Sequence, residues 1–137
     1  MISLSQITVR PGRAVALVSL SPDCPRRCSG ALAQEAARLF PDLPRHACVN
    51  AVGPTFGCVM EGTSVPHLLE HMVIDLQLAA LAHQGMQRNV VLAGNTRWVN
   101  KQEGTARVEV AFVDDIAAVR AFDDALKVLN KMLTYTC

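Results

Sequence analysis

Two histidines and a glutamate share one predicted helical turn in the run His67-Leu68-Leu69-Glu70-His71. Residues four apart lie on one face of a helix, so both imidazoles can bind one metal ion. A catalytic zinc ion takes three protein ligands and lowers the pKa of a bound water towards neutrality. A glutamate beside the metal can take the proton from that water and pass it to a leaving amine. The spacing therefore predicts one zinc ion per chain at His67 and His71, with Glu70 as the catalytic base.

The sequence around these three side chains is strongly apolar. Leu68, Leu69, Met72 and Val73 surround them, so the helix that carries them is expected to be buried. Buried ionisable groups must be paired, neutralised or bound to a metal ion, and this favours a metal site. A histidine pair that is only a buried, hydrogen-bonded structural feature is the alternative.

A catalytic zinc site needs a third ligand, and the sequence leaves its identity open. The candidates are Glu109, Asp114, Asp115, Cys58 and Glu61. We favour Asp115, because the first turn of the third predicted helix should lie over the same sheet as the second helix. Glu109 alternates with a neighbouring arginine and is expected to face solvent. An aspartate at position 114 or 115 also has an ordinary role as a helix cap.

The other cysteines and histidines are better explained by structure. Cys24 and Cys28 are separated by three residues, a spacing that fits neither a zinc knuckle nor a thioredoxin-like pair. His46 and His83 are isolated in the sequence and are interpreted as structural histidines. The chain has five cysteines, an odd number, and is large enough to fold without bridges, so free thiols are expected.

Composition restricts the class of protein. Hydrophobic residues make up 50% of the 137 residues and charged residues 18%, which excludes a disordered segment and favours a single domain over residues 1–137. A net charge of +1 and 4% aromatic residues supply neither the basic stripe nor the stacking rings of a nucleic-acid binder. No segment predicts a signal peptide or a membrane span. A soluble cytoplasmic protein is expected.

A hairpin, a helix and a long connection are predicted ahead of the motif. Strands Ile2–Val9 and Ala14–Leu20 flank a Pro-Gly turn, and Asp23 predicts the start of a first helix over residues 26–40. The segment 41–66 is rich in proline and glycine and has no sustained periodicity. We interpret it as a functional loop, or alternatively as two short edge strands at His46–Asn50 and Phe56–Met60.

The motif helix is predicted to run from a cap at Ser64 to a stop at Gly85. Strand segments are then expected at Asn89–Leu92, Thr96–Asn100 and Ala106–Val113. A third helix should begin at Asp114 or Asp115, with an apolar stripe of Ile116, Val119, Phe122, Leu126, Leu129 and Leu133. The order β-β-α-loop-α-β-β-α predicts an α+β fold, a mostly antiparallel sheet of about four strands packed against helices.

The run Glu61-Gly62-Thr63, followed by Pro66 to Gln77, resembles the amino-terminal domain of cyanophycin synthetases. In that family a Gly-Thr pair precedes a His-x-x-Glu-His helix that ends in acidic-Leu-Gln. The resemblance extends over residues 40–125. Three more segments are similar to family segments: His46–Asn50 with Cys48 to a His-Cys-Ser segment, Gly94–Arg97 to a Gly-x-Thr-Arg turn, and Val110–Asp115 to a strand ending in two acids. The five-residue motif also resembles that of pitrilysin-type peptidases, the inverzincins.

This resemblance implies a compact α+β domain, which in some members is a metal-dependent peptidase that clips an Asp-Arg polymer. It implies His67 and His71 as metal ligands and Glu70 as general base. Arg97, in the Gly-x-Thr-Arg turn, would receive a substrate carboxylate through its guanidinium fork.

Several departures from the family pattern accompany this resemblance. Pro54-Thr55 stands where the family has paired glycines, Pro66 replaces a glycine, and the paired acids are Asp114-Asp115 rather than glutamates. The downstream glutamate ligand of pitrilysin-type peptidases would fall beyond the last residue. The chain contains no phosphate loop, so polymer synthesis is not expected of it.

Taken together, the sequence predicts a zinc-dependent peptidase or amidase that acts on cyanophycin-like or other isopeptide substrates. One alternative is a non-catalytic module that binds a peptide or polymer for a separately encoded ligase. A purely structural domain is the other. The expected partners are a peptide or isopeptide polymer, that ligase and a second copy of the chain in a homodimer. Nucleic acid and membranes are not expected partners.

Overall fold

The computed structural model describes residues 1–85 and 90–136. Its strands are Ile2–Arg10 (β1), Arg13–Leu20 (β2), Gly94–Asn100 (β3) and Thr105–Ala111 (β4), and its helices are Gly30–Leu39 (α1), Val65–His83 (α2) and Asp115–Thr136 (α3). The strands form one antiparallel sheet in the order β1-β2-β4-β3, so β3 is an edge strand. The predicted α+β class and order of elements are confirmed.

Strand alternation gives the sheet one buried face. Ala14, Ala16 and Val18 of β2 are buried, and so are Ala106, Val108 and Val110 of β4. The residues between them, such as Leu17 and Glu109, keep access to solvent. Helix α2 contacts β3 and β4, whereas α3 contacts β1 and β2, and the two helices contact each other. Both helices therefore cover the same face, and the core lies between this face and the helix layer.

The first helix starts later than predicted. Ser29 caps α1, because its side chain accepts a hydrogen bond from the Leu32 N–H at 3.1 Å. The preceding residues pair instead with the segment before α2: the Cys28 N–H donates to the Thr63 carbonyl at 2.7 Å, and the Val65 N–H donates to the Arg26 carbonyl at 2.9 Å. These tertiary hydrogen bonds replace the helical turn expected after Asp23.

The connection between α1 and α2 contains neither of the predicted edge strands. It forms two short 3₁₀ helices, Leu43–Arg45 and Phe56–Cys58, and one isolated bridge between Ala47 and Thr55. The Phe56 N–H also donates to the His46 carbonyl at 2.8 Å. Prolines at positions 44 and 54 lack backbone donors, which prevents a longer ladder. The connection is thus folded back on itself beside the start of α2.

The motif helix follows its prediction closely. Ser64 caps α2 by accepting a hydrogen bond from the His67 N–H at 3.2 Å. Gly85, just beyond its end, has a φ of 78°, a conformation that glycine adopts without steric cost. After it, β3 contains the predicted strand Thr96–Asn100 and starts two residues earlier, at Gly94. Residues 90–92 of the other predicted segment, Asn89–Leu92, form no strand, and Asn89 lies outside the described residues.

The last helix differs from its prediction at its amino end. Asp114 caps α3 by accepting a hydrogen bond from the Ile116 N–H at 3.0 Å. Ile116 and Val119, expected in the buried stripe, are 62% and 39% exposed, whereas Phe122, Leu129 and Leu133 are buried as predicted. The prediction missed Ala118, Ala121 and Ala125, which are also buried. Alanine side chains allow a helix to pack closely against its neighbours. The buried face of α3 therefore includes Ala118, Ala121 and Ala125 and excludes Ile116 and Val119.

Two further observations concern sequence predictions. Cys28, Cys48 and Cys58 carry free thiols, as expected, while Cys137 lies outside the described residues. No helix in the described part of the chain is both long enough and apolar enough to cross a membrane.

Candidate metal and catalytic site

The first two turns of α2 place the motif side chains between β3 and the folded connection. Glu70 and His71 are only 4% and 2% exposed, and His67 is partly buried. Phe56 closes the connection side of the site. Its ring stacks on His71 with centroids 4.0 Å apart, and it meets the edge of the His67 ring at 5.1 Å. The local helix spacing and this aromatic wall together hold both imidazoles at one spot.

Cys48 joins the two histidines from the connection. One ligand atom from each of Cys48, His67 and His71 lies within 4.8 Å of the others. The Cys48 Sγ is 3.7 Å from His67 Nε2, and the Thr63 Oγ1 is 2.7 Å from His67 Nδ1. When His67 Nδ1–H donates to Thr63, the lone pair of Nε2 is left facing the sulfur. A cysteine sulfur and imidazole nitrogens are ligand atoms that zinc and other transition metals take in proteins.

A second hydrogen-bonded chain orients His71. His46 Nε2 lies 3.0 Å from Asp75 Oδ1, and His46 Nδ1 lies 3.2 Å from His71 Nδ1. A carboxylate only accepts, so in a neutral His46 ring Nε2 donates to Asp75 and Nδ1 is an acceptor. His71 must then donate through Nδ1, which leaves its Nε2 lone pair available. Such outer partners are what fix the tautomer of a metal-binding histidine.

Burial keeps both histidines neutral. It lowers the pKa of His71 to about 3, with smaller contributions from the nearby His67 and His46. Burial also lowers the pKa of His67 below its ordinary value. Metal binding requires neutral imidazoles, because a protonated ring has no free lone pair. At neutral pH the two rings are therefore already in the form that can bind a metal ion.

Glu70 is a buried carboxyl group with one hydrogen-bond donor. Its Oε1 accepts from the Thr96 hydroxyl at 2.7 Å, and its Oε2 lies 3.6 Å from His71 Nε2. Burial raises the pKa of Glu70 to about 7, against the opposing effect of the Thr96 hydrogen bond. With His71 neutral, the short distance between the two side chains is not an ion pair. A carboxyl group that exchanges its proton near neutrality is suited to general acid–base chemistry.

Gly94 lets β3 pass very close to Glu70. A Cβ atom at position 94 would lie 2.6 Å from Glu70 Oε2, closer than atoms can approach without a shift. A cavity of about 540 Å³ lies between α2, β3 and the connection, with Cys48, His67, Glu70, His71 and Thr96 in its lining. Its size is that of a small-molecule or peptide site.

The structure does not bring Asp115, the favoured third ligand, to this cluster. Asp115 is exposed at the start of α3, where its Oδ1 accepts from the Ile116 N–H at 2.8 Å. The first turn of α3 lies beside Leu76, Ala80 and Gln84 of α2. These residues are in the second half of α2, whereas the histidines are in its first turns. Both helices lie over one sheet, as predicted. The prediction was wrong about which part of α2 the first turn of α3 contacts: it is the second half, and the histidines lie in the first turns.

The other candidates for the third ligand also lie apart from the cluster. Glu109 pairs with Arg13 at 3.1 Å on the opposite face of the sheet. Glu61 lies against Gly30 and Cys58 against Gly53, both in exposed positions. Among the described residues, Cys48, and none of these candidates, lies close to both His67 and His71.

Arg97, expected to bind substrate, does not line the cavity. It follows Thr96 on β3, and successive strand residues point to opposite faces. Because Thr96 contacts Glu70 on the helix side, Arg97 lies on the uncovered side, where it is the register partner of Arg107. In the segment that resembles the Gly-x-Thr-Arg turn, the threonine and the glycine contact the site.

Five residues that contact the motif side chains directly or through His46 were given no site role by the sequence: His46, Cys48, Thr63, Asp75 and Thr96. Cys48 and Thr96 lie in segments that resemble the family, and these resemblances were their only signal in the sequence. Thr63 also lies in such a segment. His46 and Asp75 do too, but His46 was interpreted as structural and Asp75 was given no role. Their link to His71 depends on how the connection folds against α2, which no local spacing encodes.

A family model described as the cyanophycin synthase-like N-terminal domain matches residues 23–134. No curated protein matches the chain significantly. The matched range contains α2, β3, β4 and the connection that carries Cys48, and so it contains every residue of the cluster.

Proposed function

The chain belongs to the cyanophycin synthase-like N-terminal domain family, and on this premise we propose that it is a metal-dependent hydrolase of peptide or isopeptide bonds. One observation carries the proposal. A buried carboxyl group, Glu70, lies at a cavity next to a thiol and two neutral imidazoles whose ligand atoms lie within 4.8 Å of one another. A purely structural histidine pair needs neither the thiol nor an adjacent cavity.

Cys48, His67 and His71 are the residues that would hold the metal ion, and we propose zinc, which takes both thiolate and imidazole ligands. Bound zinc would polarise the scissile carbonyl and lower the pKa of the attacking water. Asp75 and His46 would hold the His71 ring in the tautomer that binds metal, and Thr63 would do the same for His67.

Glu70 would act as the general base and then as the general acid. In its ionised form it takes a proton from the attacking water, while the Thr96 hydroxyl holds the carboxylate in place. It then passes that proton to the leaving amine as the amide bond breaks. Because the pKa of Glu70 is raised to about 7, its ionised form increases as the pH rises through neutrality.

Family membership suggests cyanophycin-like or other isopeptide polymers as substrates. We further propose that residues 1–137 act as one domain in the cytoplasm, where free thiols such as Cys48 persist. A homodimer and a separately encoded ligase are the proposed protein partners. If the domain binds metal and polymer without hydrolysing it, the alternative of a binding module that serves such a ligase applies instead.

The test compares wild type with Glu70→Gln, both purified without an affinity tag. Metal content is measured by elemental analysis, and hydrolysis is measured on an Asp-Arg isopeptide polymer. We expect about one zinc ion per chain in both proteins. The glutamine cannot accept the water's proton, so the rate should fall roughly 10²- to 10⁴-fold. Glu103→Gln, an exposed acid outside the cavity, is the matched control and should keep full activity.

Three outcomes decide between the proposals. Hydrolysis at an unchanged rate in Glu70→Gln would remove Glu70 from the reaction. Wild-type protein without bound metal would exclude the metal-dependent mechanism and leave the structural domain. Bound metal without any hydrolysis would favour the non-catalytic binding module.

A further inference from the structure

The outer face of the sheet, the side that the helices do not cover, carries an excess of positive charge. Buried residues such as Ala14, Ala106 and Val108 face the helices, so the residues between them point to the outer face. All the charged residues of the four strands are on this face: Arg10, Arg13, Arg97, Arg107 and Glu109. Four arginines and one glutamate give it a charge of +3, whereas the whole chain has a net charge of +1. The positive charge of the molecule is therefore concentrated on the sheet.

The arginines form two pairs of like charge across neighbouring strands. Arg10 is the register partner of Arg13, and Arg97 is the register partner of Arg107. Like charges directly opposite each other on one face destabilise a sheet. Glu109 offsets part of this repulsion, because its Oε1 lies 3.1 Å from Arg13 Nε and 3.5 Å from Arg107 Nη2. Arg10 and Arg97 have no acidic partner among the described residues, so each pair keeps a guanidinium fork that a ligand carboxylate can occupy.

An apolar centre separates the two arginine pairs. Val15 is partly buried and Leu17 is 36% exposed, and both point outwards from β2. Trp98, the only aromatic residue of the four strands, packs against the core, so the outer face offers no ring on which a nucleic-acid base can stack. A polypeptide can supply carboxylates for the arginines and an aliphatic side chain for this centre. A nucleic acid supplies phosphates but no aliphatic side chain.

The charge of the outer face also disfavours the polymer of the proposed function as its ligand. Each unit of an isopeptide chain built from aspartate and arginine keeps one carboxylate and one guanidinium group, so the chain is neutral overall. The four arginines would repel its guanidinium groups, and the single acid of the face, Glu109, is already paired. A segment that is rich in acids and poor in bases avoids this repulsion.

We propose that the outer face is a docking surface for an acidic segment of another protein, with carboxylates on the Arg10–Arg13 and Arg97–Arg107 pairs and an aliphatic side chain at Leu17. This goes beyond the proposed function and does not depend on it, because the surface and the Glu70 cavity lie on opposite sides of the sheet. At ~4.8 Å between strands and ~3.4 Å per residue, the two pairs are roughly 17 Å apart, the span of about five extended residues.

A designed peptide tests this surface. It is a capped heptapeptide with two glutamates at each end, threonine, leucine and threonine between them, and a terminal fluorophore. Binding is measured by fluorescence anisotropy with a chelator present, so that metal binding plays no part. At about 50 mM salt we expect a Kd of about 100 μM or tighter, and a weaker affinity as salt screens the charges. No binding at this salt, or an affinity that does not change with salt, would overturn the proposal.

Charge reversal locates the binding surface. Arg10→Glu and Arg97→Glu should each weaken binding of the heptapeptide at least about tenfold. Each replaces a like-charged cross-strand pair by a pair of opposite charge, so both variants should fold at least as stably as wild type. Arg120→Glu is the matched control, because Arg120 is exposed on α3 and its reversal changes the net charge equally. It should bind within about twofold of wild type, and equal effects of all three variants would overturn the proposal.

Competing probes test which molecule occupies the surface. A heptapeptide with serine in place of leucine should bind at least about threefold more weakly. An Asp-Arg isopeptide oligomer and a single-stranded RNA of equal negative charge should each compete at least about tenfold less well. Equal binding of the serine peptide, or tighter binding of the oligomer or the RNA, would overturn the proposal. A dimer that dissociates in Arg97→Glu but not in Arg120→Glu would also overturn it, because the occupant would then be a second copy of the chain.

Discussion

Cys48 lies beside the two motif histidines, where the sequence prediction places Asp115 as the third metal ligand. Its sulfur lies 3.7 Å from His67 Nε2, whereas Asp115 is exposed at the start of α3. We therefore expect Cys48→Ala to weaken zinc binding by more than about 100-fold, since changes in outer partners alone cost 10- to 100-fold. Asp115→Asn should leave zinc affinity unchanged. Competition with a chromophoric chelator measures both variants.

Cys58→Ala is the matched control for the loss of a thiol, because Cys58 belongs to the same connection but is exposed and bonded to Thr55. It should bind zinc like wild type. Loss of affinity in Asp115→Asn, with none in Cys48→Ala, would restore the original ligand assignment.

The pKa shifts of His71 and Glu70 have opposite effects on the free energy of unfolding of the metal-free protein. The pKa of His71 is lowered from 6.5 to about 3, so its contribution to stability is present above pH 6.5 and is lost as the pH falls towards 3. The pKa of Glu70 is raised from 4.5 to about 7, so its contribution is present below pH 4.5 and is lost as the pH rises through 7. Between pH 6.5 and 4.5 the two partly cancel.

Removing the titrating carboxyl group should expose the effect of His71. We expect metal-free Glu70→Gln to lose stability more steeply than wild type between pH 6.5 and 4.5. Urea unfolding at several pH values, in the presence of a chelator, measures the slope. Glu103→Gln should follow wild type. Parallel slopes for wild type and Glu70→Gln would show that Glu70 titrates alike in the folded and unfolded states.

At the scale of residues, the sequence predicts the relative positions of side chains that belong to one helix. The spacing of His67, Glu70 and His71 is sufficient to place them together, because helical geometry alone relates them. The contributions of Cys48 and Thr96 come from two other elements. Their positions depend on the packing of these elements against α2, and this packing is not contained in any local pattern.

At the scale of elements, the contact between β3 and α2 depends on Gly94, which has no side chain. A Cβ atom on residue 94 would lie 2.6 Å from Glu70 Oε2, so Gly94→Ala must displace the carboxyl group or the strand. We expect the free energy of unfolding to fall by about 1–3 kcal/mol, the usual cost of overpacking. Chemical denaturation measures this change.

A double-mutant cycle shows whether the cost arises at Glu70. In a Glu70→Ala background the clash is relieved, so Gly94→Ala should cost less than half as much. Asn95→Ala, next along the strand and exposed, is the control and should change stability by less than about 0.5 kcal/mol. An equal cost in both backgrounds would place the strain elsewhere.

The elements themselves differ in how well sequence predicted them. The cap at Ser64 and the stop at Gly85 gave α2 correct ends, because both signals act through the local backbone. The start that Asp23 predicted for α1 was wrong, since Cys28 and Arg26 are held by tertiary hydrogen bonds to the segment before α2. Local rules predicted the elements that satisfy their own backbone groups and missed those satisfied by distant partners.

At the scale of the whole molecule, one side chain joins the two ends of the fold. Asn130 of α3 accepts from the Ile2 N–H at 2.8 Å and donates to the Ile2 carbonyl at 2.8 Å. Asn130→Ala leaves both backbone groups of this part-buried contact unpaired. We expect it to lower the free energy of unfolding by about 1–3 kcal/mol, as measured by urea denaturation.

Thr134→Ala is the control for this contact. Thr134 lies one turn further along α3, and its exposed hydroxyl bonds only within the helix. Its loss should change stability by less than about 0.5 kcal/mol. An equally small effect of Asn130→Ala would mean that solvent replaces the asparagine at the first strand.

The position of β2 in the sheet has a consequence for how this domain is delimited. The family match begins at residue 23, yet β2 ends at Leu20 and lies between β1 and β4. A fragment of residues 23–134 would lack β2. The backbone groups of Val108 and Val110 in β4 would then lose their hydrogen-bond partners. We expect the exposed edges of β4 in two such fragments to pair with each other, which leads to aggregation. A boundary drawn by similarity is here not a boundary for folding, and expression of the trimmed domain would yield aggregates instead of an assayable protein.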